Sequence, residues 1–153
     1  MKACFLDTSA LVKRYVSETG SIWIRDVAAS EADNKLFVSR ITWVEALSAF
    51  SRRKREDSLS ASDTDIAIRA FQHDWDTQYH IVELDYPVIN AAGRLVQRHP
   101  LRAYDSVQLA SALSLNPTFS RIAPDAFVFI SADKRLTDLA QAEGLQTDNP
   151  NHH

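Results

Sequence analysis

The sequence predicts an α/β fold: one domain in which a central parallel sheet is flanked by helices on both faces. Short apolar, β-rich runs at residues 2–6, 36–39, 79–84 and 126–131 alternate with longer stretches of helical periodicity. Two of these runs end in an acid that opens a helical segment. Asp7 closes Lys2–Asp7 and opens Thr8–Tyr15, and Asp133 closes Ala126–Asp133 and opens Lys134–Glu143. Such strand-to-helix junctions form the ligand edge of an open parallel sheet, outside the carboxyl ends of its strands. No internal repeat, linker or low-complexity segment divides the chain. The domain is therefore placed at residues 1–148, with 149–153 as a C-terminal tail.

The elements follow in order. Residues 21–30 read as a short amphipathic helix. Ile41–Glu56 is a stronger one, with Ile41, Val44, Leu47 and Phe50 at helical spacing and Arg52-Arg-Lys-Arg55 at the negative end of its dipole. Ser62 and Asp65 resemble a capping box, with Asp in place of Glu, for a helix running to about Thr77. Pro87 suits the first turn of a helix over Val88–Gln97, and Pro100 stops it. Tyr104–Leu115 forms the next helix. Asn116-Pro117 marks its end, and a loop runs through Pro124 to the last strand.

Composition bounds the function. The 153 residues suffice for one sizeable core, and 45% hydrophobic with 24% charged residues is ordinary for a globular domain. Three glycines and five prolines argue against disorder or a fibrous architecture. The net charge of −3 does not announce a nucleic-acid binder, although clustered acids lower the pI without forbidding local basic patches. Cys4 is the only cysteine, so no intramolecular disulfide can form, and a cytoplasmic location is expected. The N-terminus is too soon interrupted by Asp7 for a signal peptide, and no apolar stretch reaches the roughly 20 residues that span a bilayer. The terminal histidines, native or not, are left out of the site.

Four carboxylates stand out: Asp7, Glu45, Asp105 and Asp133. Asp7 and Asp133 also suit helix N-caps, and Asp105-Ser-Val-Gln108 matches an Asp-x-x-Gln capping pattern. Glu45 lies within the apolar segment Trp43–Leu47, where an unpaired carboxylate is costly and an Arg partner would explain it structurally. A divalent cation would relieve all four, since hard cations take oxygen ligands. Thr8 and Ser131 add hydroxyls beside Asp7 and Asp133 that can orient a carboxylate or a bound water, or else serve turn chemistry.

These segments resemble the motifs of one family. Phe5-Leu-Asp-Thr-Ser-Ala-Leu-Val12, Ser39-Arg-Ile-Thr-Trp-Val-Glu45, Arg102-Ala-Tyr-Asp105-Ser-Val-Gln-Leu-Ala110 and Phe129-Ile-Ser-Ala-Asp133-Lys-Arg-Leu136 are similar, in order, to the four acidic motifs of PIN-domain ribonucleases. The resemblance covers nearly the whole chain, and its length suits the VapC-type toxins of toxin–antitoxin pairs. One departure is the polar Gln108 where an apolar continuation is usual, which puts a polar contact near the site.

The resemblance implies hydrolysis of RNA phosphodiester bonds with Mg²⁺ or Mn²⁺ as cofactor. Asp7 and Asp105 would be the firmest ligands, with Glu45 and Asp133 completing the site directly or through water and Glu45 also helping to accept a proton. Lys13, Arg14, Arg52, Arg53, Lys54, Arg55, Lys134 and Arg135 can form a basic rim for RNA, or simply solvated helix faces. Trp23, Trp43 and Trp75 read as core aromatics rather than base platforms. A small antitoxin is the implied partner, docking in an apolar groove near Ile22, Trp23, Ile24 and the Ile41–Phe50 segment, and a homodimer is expected. The alternatives are a housekeeping RNA-processing nuclease on the same fold and a catalytically inactive PIN module that only binds. A phosphatase of the haloacid-dehalogenase type is disfavoured because Ser9 stands where its second Asp is required.

Overall fold

A computed structural model describes residues 1–153. Five parallel strands form one sheet in the order β3-β2-β1-β4-β5, with β1 at Ala3–Leu6, β2 at Lys35–Ser39, β3 at His80–Val82, β4 at Phe127–Ile130 and β5 at Thr147–Asp148. The chain moves outward from β1 on one side and then returns to place β4 on the other. The strand order therefore reverses between β1 and β4, which pair in register from Ala3↔Phe127 to Leu6↔Ile130. All four β1 residues are buried, as expected of a central strand covered on both faces.

The period-two alternation of the strands sorts the core into two layers. Cys4, Leu6, Leu36, Val38 and Ile130 face one layer, built on α1 (Thr8–Leu11), α2 (Ser21–Ala28), α3 (Thr42–Arg55) and α4 (Ala61–Thr77). Ala3, Phe5, Phe127 and Phe129 face the other, with α5 (Tyr86–Arg98), α6 (Ala103–Ser120) and α7 (Lys134–Ala142). Trp43 and Trp75 pack on Phe71 in the first layer, so their apolar spacing is used for the core. No helix is long and apolar enough to cross a membrane.

Several element boundaries differ from expectation for local reasons. The cap of α4 is Ser60, whose Oγ accepts the Asp63 N–H at 3.0 Å, so Ser62 and Asp65 lie inside the helix. Helix α6 continues past Asn116-Pro117 to Ser120. A proline in the last turns removes one hydrogen bond there, and Phe119 anchors the extension against Phe37 and Phe127, at ring separations of 5.4 and 5.8 Å. Strand β3 spans only three residues, and just before it Tyr79 is buried in the helical layer. There its hydroxyl meets Tyr15 Oη at 2.7 Å and accepts from Arg14 at 2.9 Å. The two-residue β5, Thr147-Asp148, carries no apolar run that would mark it in the sequence. Residues 149–153 are seated on the domain, with Pro150 buried and the His153 ring stacked 4.2 Å from Trp23.

Helices α5 and α7 are pinned at one end by Glu143, whose Oε1 accepts Arg98 Nη2 at 2.9 Å and lies 2.7 Å from His99 Nε2. These contacts, Arg98 first, hold the Glu143 carboxyl below its ordinary value. A depressed acid stabilises the fold above its unfolded pKa of about 4.3 and loses that contribution as pH falls through the folded value. Glu143→Gln is expected to make urea stability less sensitive to acidification, by under about 1 kcal/mol because Arg98 is half exposed. Parallel urea melts of both proteins on either side of that pKa measure it, and an unchanged pH slope contradicts it.

Candidate active site: a carboxylate-lined cleft

A cleft of about 620 Å³ opens at the carboxyl ends of β1 and β4, and Asp7, Glu45, Asp105 and Asp133 all line it. This is where the strand order reverses, the place where an open α/β sheet leaves a crevice. Each acid sits at the amino end of a helix. Asp7 and Asp133 are the N-cap residues of α1 and α7, and Glu45 and Asp105 lie in the first turns of α3 and α6. Glu45 is thus at the start of its helix.

The hydrogen bonds set the four acids apart. Asp7 makes no side-chain cap bond; its Oδ2 accepts from Ser9 Oγ at 2.6 Å and from Ser131 Oγ at 2.9 Å. Those two serines in turn accept the N–H groups of Ala132 and Asp133, so the loops after β1 and β4 are tied together beneath Asp7. Glu45 has no Arg partner; its Oε1 accepts from Thr8 Oγ1 at 3.0 Å and Gln108 Nε2 at 2.7 Å. Asp133 caps α7 through Oδ1, which accepts the N–H groups of Arg135 and Leu136. Each of these carboxylates spends one oxygen on the protein and keeps the other without an intramolecular partner. Asp105 caps nothing, because Arg102 occupies that position and Gln108 turns inward.

Burial raises the Asp7 carboxyl above its ordinary range; the Ser9 and Ser131 hydroxyls oppose this, and Asp105 adds to it. Glu45 is raised by burial too, against the bonds from Gln108 and Thr8, and further by Asp7 and Asp105. Asp105 is raised by burial and by Asp133, while Arg102 and Arg135 pull it down. The acids therefore face one another across the cleft with too little positive charge between them. No three of the His, Cys, Asp or Glu side chains close tightly enough to hold an ion among themselves. The donor chemistry nevertheless fits Mg²⁺ or Mn²⁺, because Mg²⁺ keeps several waters and needs only one or two carboxylates.

The basic residues separate into groups. Arg52 and Arg53 line the cleft, with Arg53 Nη1 on Glu18 at 3.0 Å. Lys13 also lines it but is buried, its Nζ donating to the Thr19 carbonyl at 2.9 Å beside Glu18. Arg14 is committed elsewhere, to Tyr79 and to Asp74 at 3.2 Å. Lys134 pairs with Asp138 on the surface, and Arg135 is exposed near enough to act on Asp105. Lys54 and Arg55 are exposed at the end of α3. Arg102, Tyr104 and Ser9 belong to the site without having been singled out, although all three sit inside the quoted motifs. Of the expected groove residues, Ile24 and Phe50 are fully buried core, whereas Ile22 and Val44 are exposed.

Fold and site together define an α/β module with acids gathered at its strand-order reversal. The chain belongs to the PIN domain family, whose model matches residues 4–142. It is 31% identical over 146 residues to Ribonuclease VapC45 of Mycobacterium tuberculosis, covering 95% of this chain and 94% of that protein. Among solved structures it resembles VapBC2 from Rickettsia felis bound to a promoter DNA fragment, with a TM-score of 0.64, 12% identity, and coverage of 96% and 98% of the two chains. A toxin-antitoxin complex from Klebsiella pneumoniae matches with a TM-score of 0.58 and 16% identity, over 96% and 97% of the chains.

Proposed function

We propose that this chain is a metal-dependent endoribonuclease and the toxin of a type II toxin–antitoxin pair. The observation that carries the reading is the set of four acids around one cleft, three of them braced through a single oxygen. Similarity to ribonucleases named VapC supports RNA as substrate, and similarity to toxin-antitoxin complexes supports a small protein antitoxin as partner.

Asp7 and Asp105 would hold Mg²⁺ or Mn²⁺, with Glu45 and Asp133 completing the site directly or through water. When bound, such an ion lowers the pKa of water and neutralises charge on a phosphodiester. Ser9 and Ser131 keep Asp7 turned toward the cleft. Glu45 takes the proton of the attacking water on its free oxygen as the water oxygen bonds to phosphorus and the ribose oxygen leaves. Arg52, Arg53 and Arg102 supply positive charge at the cleft wall for the RNA backbone, and Arg135 adds to it from the rim. Exposed Ile22 and Val44 offer apolar surface for the antitoxin, and the protein works as a homodimer in the cytoplasm.

Incubating the purified protein, free of any antitoxin, with total cellular RNA tests this. Discrete fragments are expected with Mg²⁺ or Mn²⁺ and none with EDTA. Intact RNA with the folded, metal-supplied protein would shift the reading to a binding module.

A further inference from the structure

One buried polar group behind the cleft-lining Thr8 and Glu45 has no part in the chemistry above. Gln108 is completely buried in α6, at the start of the buried run Gln108–Ala112, one turn beyond Asp105. Its Nε2 lies 2.7 Å from Glu45 Oε1, 2.9 Å from Thr8 Oγ1 and 2.9 Å from Thr42 Oγ1. Two N–H hydrogens thus serve three acceptors contributed by α1 and α3. Its Oε1 is the one buried side-chain oxygen or nitrogen in the chain without a partner.

An amide buried with an orphaned oxygen is unfavourable, and an apolar residue would fill the same space without that cost. The flipped amide is no remedy, because it would set Oε1 against the Glu45 carboxylate. The arrangement makes sense through what Nε2 holds. Both protein hydrogen bonds to Glu45 end on Oε1, which leaves Oε2 of this cleft-lining acid without a protein partner. A flexible Glu in the first turn of a helix, with only the Thr8 hydroxyl against it, could swing away. A second, charge-assisted bond from the buried amide fixes its rotamer.

We infer that Gln108 is a positioning residue for the hydrolysis: it locks Glu45 with Oε2 toward the cleft and joins that acid rigidly to the helix carrying Asp105. This rests on the ribonuclease reading above.

The test is a double-mutant cycle between Gln108→Met and Glu45→Ala, read by single-turnover RNA cleavage and by Mn²⁺ affinity from the free-ion electron paramagnetic resonance signal. Gln108→Met keeps side-chain length and lacks the donor. It is expected to lower kcat about 10–100-fold and weaken Mn²⁺ binding about tenfold, the range for groups that orient a ligand, with KM for RNA nearly unchanged. In the Glu45→Ala background the same change is expected to do nothing further. Gln108→Asn, which keeps an amide beside the two threonines but withdraws it from Glu45, should reproduce the loss even if the methionine variant folds poorly. Wild-type kcat and Mn²⁺ affinity in Gln108→Asn would overturn the role, as would full additivity with Glu45→Ala. Wild-type protein that neither cuts RNA nor binds Mn²⁺ would instead overturn the ribonuclease reading, and this role with it.

Discussion

Asp7→Asn is expected to lower RNA cleavage by about 10³-fold while making the protein more heat-stable, not less. The loss is of the order found when a fixed electrostatic contact to the reacting group is removed, about 10²–10³. An amide can replace the carboxylate geometrically, since its Oδ1 can accept the same Ser9 and Ser131 hydroxyls. It cannot bring negative charge to a cation. The gain in stability has the same source. Burial raises the Asp7 carboxyl, so the fold disfavours its charged form. A raised acid contributes stability that is complete below its unfolded pKa of about 3.9 and is lost as pH rises through the folded value. The advantage of Asn over Asp is therefore greatest above the folded value and fades as pH falls toward the unfolded one. About 1 kcal/mol would raise Tm by roughly 2–4 °C in a chain of this size. Mn²⁺ reverses the order: at a hundred times its Kd it should stabilise wild type by about 2.7 kcal/mol and leave the variant unmoved. Calorimetry with and without Mn²⁺, beside a cleavage assay, measures both halves. Retained cleavage in the variant would remove Asp7 from the site, and a lower Tm without metal would make its role structural.

The three glycines should respond to alanine with three different outcomes. Gly20 has φ +85°, and a Cβ there would lie 2.3 Å from the Pro150 carbonyl oxygen. The clash is with backbone rather than the far end of a flexible side chain, so the segment carrying Pro150 must shift, and the left-handed conformation adds strain of about 1–3 kcal/mol. Gly20→Ala is expected to cost roughly 3–5 kcal/mol by adding an overpacking clash to that strain, and to loosen the 149–153 segment, seen as lost quenching of Trp23 by the stacked His153. Gly144 has φ +92° with nothing within 4 Å of its Cβ position, so Gly144→Ala should cost only about 1–2 kcal/mol of strain. Gly93 lies within α5 and meets nothing within 4 Å, so Gly93→Ala should stabilise by about 0.5–1 kcal/mol through helix propensity. Chemical denaturation of the set settles it, and equal effects at positions 20 and 144 would refute the clash.

The residues of the cleft were more legible than the contacts among them. Asp7 and Asp133 are visible because an apolar run ending in an acid before a helical period marks a strand-to-helix junction. Glu45 and Asp105 are visible because a carboxylate in an apolar stretch demands an explanation. The PIN resemblance puts all four in order along the chain, and the family match over residues 4–142 agrees with it. What each acid leans on was not visible. The capping pattern Asp105-Ser-Val-Gln108 is present, yet Gln108 reaches Glu45 and Thr42, 63 and 66 positions away. Lys13 and Arg14 are adjacent basic residues, yet one lines the cleft and the other is held by Tyr79 and Asp74.

Local chemistry determined which segments became strands and helices and which acids stood at their ends, because apolar period, cap preference and turn residues act within a few positions. Pro117 and the two-residue β5 mark the limit of that reach: Phe119 stacking outweighs a missing hydrogen bond, and β5 exists only because β4 offers an edge. Tertiary structure alone decided the rest. The reversal of strand order between β1 and β4 brings residues 7 and 131 within 2.9 Å and opens the crevice around them. A contact made across 124 positions depends on how the whole sheet is wound, and no local pattern encodes it.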